Sequence, residues 1–73
     1  MGQRITIKVR FNASREKFES FGNGMYLAYL TFPQDDSTVH VLGTLISRHL
    51  GASLGRIEFA GVDKNTNWVF ELT

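Results

Sequence analysis

Only one segment of this 73-residue chain sustains apolar residues at helical spacing, and that single fact limits the fold more than any other. Between Thr38 and Leu50, Val39, Leu42, Leu45, Ile46 and Leu50 recur every three or four positions, the pattern of a helix with one apolar face. The local chemistry at both ends agrees. Pro33 ends the preceding segment, Asp36 or Ser37 can accept a hydrogen bond from an orphan N–H, and Asp35 and Asp36 suit the positive end of the helix dipole. Arg48 and His49 occupy the last turn, where cations are favoured, and Gly51 supplies a left-handed cap. Gly43 interrupts this agreement, since a mid-helix glycine costs about 1 kcal/mol against alanine. The expected reason is close approach of helix to sheet.

The remaining signals belong to strands. Ile5, Ile7, Val9 and Phe11 alternate with Arg4, Thr6, Lys8 and Arg10, which defines a half-buried strand with a basic outer side. Residues 12–22 leave two readings open, a short helical turn capped by Ser14 or a continuing strand. Asn23-Gly24 is the pair best suited to a tight hairpin, so a strand from Met25 to Phe32 should run antiparallel to what precedes it. That strand is apolar on both sides, with Tyr26, Ala28, Leu30 and Phe32 against Met25, Leu27 and Tyr29, and so belongs inside a sheet. After the helix, RIEFA and WVFELT read as strands joined by the polar turn GVDKNTN. The expected architecture is α+β, residues 1–73 forming one domain, with one helix packed on a four-stranded antiparallel or mixed sheet in the order β-β-α-β-β.

Composition narrows the function. A chain this short buries only about 60% of its unfolded surface, and its stability should lie at roughly 4 to 11 kcal/mol. With no cysteine it has no disulfide, thiolate metal site or thiol nucleophile, so the core depends on six Phe, two Tyr and Trp68. The first residues alternate instead of forming an apolar run, so neither a signal peptide nor a membrane span is expected, and the expected location is cytoplasmic. With no secretory signal expected, the sequon Asn12-Ala13-Ser14 is expected to be idle. A net charge of +1 is too small for the broad field of a dedicated duplex-DNA binder.

Two family likenesses bear on the fold. ITIKVRFNASRE, GMYLAYLTFP and LGASLGRIEFAG resemble the opening strand, the pre-helix strand and the post-helix segment of the YggU-like family of small bacterial proteins. That resemblance implies a two-layer fold of helix and sheet. It carries no site residue over, because the family's P-P-x-D-G-x-A-N reads Pro33-Gln34-Asp35-Asp36-Ser37-Thr38-Val39-His40 here. PQDDSTVHVLGTLI and RIEFAG are also similar to the strand-to-helix passage and following strand of the ubiquitin-like β-grasp fold. The sequence reads to Thr73 without a diglycine, so the conjugation chemistry of that fold is not expected.

No residue set announces catalysis. His40 and His49, nine residues apart, face about 180° from each other on a helix and cannot share a metal. No G-x-S-x-G elbow or phosphate-cradling loop is present. An enzyme using Asp35, Asp36 or His40 would need a concave pocket, for which one helix offers little volume. Neither a catalytic residue, a metal nor a cofactor is therefore expected. The binding candidates are Arg4, Lys8 and Arg10, one stripe along the first strand, joined by Tyr29 if the second strand turns it to the same face. Arg15, Lys17, Arg56 and Lys64 can enlarge that patch, while Glu16, Glu19, Glu58 and Asp63 dilute it. The expected role is a non-catalytic interaction module whose partner is a protein, engaged through an open sheet face or an edge strand that can also pair copies of the chain. The alternative is a single-stranded RNA or DNA binder, in which a base stacks on Tyr29 while the cations hold phosphates.

Overall fold

A computed structural model describes residues 2–73. The elements follow in the order β1 (Gln3–Arg10), β2 (Lys17–Gly22), β3 (Met25–Tyr29), α1 (Thr38–Leu50), a single 3-10 turn η1 (Leu54–Arg56), β4 (Ile57–Val62) and β5 (Trp68–Leu72). The strands form one mixed sheet ordered β2-β3-β1-β5-β4. Only β1 and β3 pair in parallel; every other pair is antiparallel.

The sheet therefore has five strands, not four, and the element order is β-β-β-α-β-β. The additional strand is β2, in the stretch whose sequence left helix and strand open. Within KFESFG only Phe18 offers the core a large half-buried side chain, because β2 lies at the rim and pairs with β3 alone. β3 ends at Tyr29, short of Phe32, although Leu30 still donates its N–H to Arg10 O at 2.9 Å and Asn12 donates to Phe32 O at 3.2 Å.

The β2–β3 hairpin turns at Asn23 and Gly24, both at positive φ (54° and 73°), as a two-residue primed turn requires. Gly24 has a second constraint. A Cβ there would lie 2.6 Å from the carbonyl oxygen of Arg4, while Gly24 O accepts the Thr6 N–H at 2.8 Å. The turn is thus pressed against β1 at the start of the parallel ladder. Each outer strand carries one extra residue, Phe21 in β2 and Ala60 in β4, where the register shifts.

The core lies on one side of the sheet. Ile5, Ile7, Ala28, Leu30 and Phe70 meet Leu42 and Ile46 of α1, all essentially excluded from water. Leu50 is half-buried and packs against this cluster. The helix spans the expected residues, and its C-terminal chemistry is as read: Gly51 is left-handed (φ 69°) and donates to Ser47 O at 2.9 Å. The N-terminal chemistry differs. Ser37 holds the cap position without a side-chain cap bond. Instead, the Asp35 carboxylate accepts the Ser37 N–H (2.8 Å) and hydroxyl (2.6 Å), while the buried Thr38 hydroxyl accepts the Asp35 N–H at 3.0 Å. Asp35 is therefore the carboxylate that organises the approach to the helix, its pKa held below the ordinary value by the Ser37 hydroxyl and then the Ser37 N–H.

Candidate functional site

The side of the sheet away from α1 carries no second layer among the described residues. Alternation along β1 turns Arg4, Thr6, Lys8 and Arg10 to this side, opposite the buried Ile5 and Ile7. β3 sends Met25, Leu27 and Tyr29 to the same side, because Tyr26 and Ala28 are buried in the core. The register then builds rows across the strands. Tyr29 stands between Lys17 of β2 and Arg10 of β1, and Leu27 between Glu19 and Lys8. Met25 stands beside Thr6, Thr6 beside Val69, and Arg4 beside Glu71, which in turn faces Glu58.

All four sequence-derived binding residues thus share this face, but they do not form one uniform patch. Arg10, Tyr29 and Lys8 gather at the end of the sheet where β1 and β3 finish. Arg4 lies at the other end, among acids: Glu71 is its cross-strand neighbour, and its charge helps hold the Asp63 carboxyl below the ordinary range, after the larger effect of the Asn67 N–H. Arg4 also lines a small hollow of about 190 Å³ with Thr6, Val69 and Asp63.

Lys17 belongs to the basic end because β2 pairs it with Tyr29, a neighbour that the ambiguous stretch 12–22 does not reveal by itself. Its ammonium is 2.9 Å from Glu19 Oε1, and that hydrogen bond and charge raise its pKa, with Tyr29 adding in the same direction. Among the described residues this is the one ion pair within 4 Å, which leaves Lys8 and Arg10 without a carboxylate partner. Arg56 does not join the patch: its Nε donates to Thr73 O at 2.7 Å and ties down the end of β5.

No protein-family model, curated protein or solved structure matches this chain.

The other sequence-level candidates separate. Asp35 is engaged in its own loop, as described above. Asp36 and His40 line a cleft of about 600 Å³ on the helix side of the sheet, while His49 packs edge-on against Phe18 and Tyr26, each at 5.5 Å between ring centres. The two histidines are in different surroundings, as the half-turn between them requires. Among the described residues, no group of three or more His, Asp or Glu side chains is placed to hold a metal ion.

Proposed function

We propose that this protein is a non-catalytic binding module that receives a partner protein on its open sheet face. The observation that carries this reading is the Leu27–Tyr29 apolar strip with unpaired Lys8 and Arg10 along one side of it, on a face that the chain's own helix leaves uncovered. The fitting partner presents an apolar centre bordered by acids. Cations at one end of the face and Glu58 and Glu71 at the other give such a partner a single orientation, since charge arrangement sets register and suppresses wrong docking. The face is favoured over the edges because both outer strands carry an extra residue that interrupts a ladder for strand addition.

The test is affinity capture by the native protein and by a Lys8→Glu/Arg10→Glu double variant, with Arg48→Gln on the helix as control, each eluate quantified by mass spectrometry. A partner retained by the native chain and the control, and lost about tenfold or more from the double variant, supports the assignment. Equal retention by all three removes it.

The row Lys17–Tyr29–Arg10 favours one second reading, a single-stranded nucleic-acid platform, because a half-buried ring between two cations suits a base flanked by phosphates. With Lys8 beside this row as a third cation, that reading predicts a log affinity falling with log salt at a slope of about −2 for three neutralised phosphates. A flat titration of an RNA or DNA oligonucleotide at low salt eliminates it.

A further inference from the structure

The cleft on the helix side has features that packing does not require. Asp36, Val39, His40 and Gly43 line it at positions i, i+3, i+4 and i+7, so one continuous face of the helix and its approach forms the wall. Leu54 and Gly55 of η1 and Ile57 of β4 form the opposite wall, with Phe70 below. Volume is within the usual range for small-molecule sites, at about 600 Å³.

Gly43 is the telling residue. It sits mid-helix, where glycine is destabilising, and has no positive φ to justify it. A Cβ at this position would meet only Leu54 Cδ2, at 3.8 Å, an ordinary contact. Alanine would therefore fit and would favour the helix. Gly43 is itself buried, with Leu54 at van der Waals distance from its Cβ direction, so glycine sets how closely Leu54 approaches the helix at the cleft wall, while Gly55 opposite has nothing within 4 Å of its own Cβ direction.

We infer that this cleft is a ligand site for a small molecule with an apolar ring and a protonated amine. Val39, Leu54, Ile57 and Phe70 supply the apolar lining for the ring. Asp36 supplies the charge that selects the amine: among the described residues its carboxylate takes part in no hydrogen bond or ion pair of the fold, unlike that of Asp35 one residue earlier. A carboxylate receiving an ammonium forms the stronger, charge-assisted class of hydrogen bond. His40, one helical turn beyond Asp36, adds a ring nitrogen that can donate to or accept from a second polar group.

The experiment is an NMR titration of the 15N-labelled full chain with 2-phenylethylamine, 3-phenylpropionate and 3-phenyl-1-propanol. The amine should give saturable shifts centred on the amides of Gly43, Leu54, Gly55 and Ile57, and bind about tenfold or more tightly than the carboxylate. Asp36→Asn should remove that preference while leaving binding of the neutral alcohol unchanged. Gly43→Leu should weaken all three probes about tenfold while preserving the dispersed spectrum of the folded chain. Should Gly43→Leu unfold the protein, Gly43→Ala provides the same test with a smaller expected loss. Absence of saturable shifts at the four amides, equal binding of amine and carboxylate, or shifts centred instead on Lys8 and Leu27 would each overturn the inference. Because the open sheet face is on the other side of the sheet, failure here leaves the outcome of the capture experiment on Lys8 and Arg10 unaffected.

Discussion

The two parts of the helix–sheet interface are finished differently. Near the C-terminus of α1, His49 fits against Phe18 and Tyr26, whose rings stack at 5.1 Å and 12°, and the space between helix and sheet is filled by aromatic groups. Along the first half of the helix, on the side toward η1 and β4, Gly43 and Gly55 leave a cleft instead. The lesson is that one apolar helix face has two tasks here. Its Leu42–Ile46 line is buried in the core, while the neighbouring line of Val39 and Gly43 borders the cleft.

That contrast can be broken most forcefully at the filled end. Tyr26→Ala should cost about 3 to 5 kcal/mol, a large part of the roughly 4 to 11 kcal/mol expected for the whole domain, whereas Val39→Ala at the cleft should cost about 1 kcal/mol. Urea denaturation of the two variants measures the difference, and similar losses would erase the distinction. Next in size is the same substitution made at two glycines. Gly24→Ala drives a Cβ into the Arg4 carbonyl at positive φ and should cost about 2 to 3 kcal/mol. Gly43→Ala should instead raise stability by about 1 kcal/mol, and a loss there would show that packing needs the glycine after all.

Between these in magnitude is Thr38→Val, which removes the acceptor of the Asp35 N–H and should cost about 1 to 2 kcal/mol if that loop braces the start of the helix. The smallest effect is the pH dependence. Asp35 and Asp63 both have pKa values lowered in the folded chain, by hydrogen bonds from Ser37 and from Asn67 respectively. Their contribution to stability is complete above the unfolded carboxylate value of about 4 and disappears as pH falls through it toward the depressed folded values. Denaturation curves collected from about pH 6 downward should therefore flatten in the Asp35→Asn variant, and an unchanged acid slope would contradict the hydrogen-bond assignment.

Local rules made the helix readable to its last residue, and the Asn23-Gly24 turn too, because each is specified by neighbours in sequence. Alternation likewise placed Arg4, Lys8 and Arg10 on one side of β1, whereas Tyr29 joins them only through the pairing of β3 with β1. What escaped depends on distant partners. Lys17–Gly22 reveals itself as a strand only beside β3, and the parallel pairing of β1 with β3 requires knowing that β3 inserts between β2 and β1. The neighbour nearest the Cβ direction of the buried Gly43 was hidden for the same reason, since Leu54 belongs to η1, beyond the helix. The cleft that gathers Asp36 and His40 was equally hidden, because half of its wall comes from Leu54–Ile57.

Phe21 and Ala60, each surplus to its register, sit in the two strands at the margins of the sheet. A second molecule arriving at either margin finds its hydrogen-bonding rhythm broken partway along, which discourages strand addition there. Contact with another molecule is thereby steered away from the margins of the sheet.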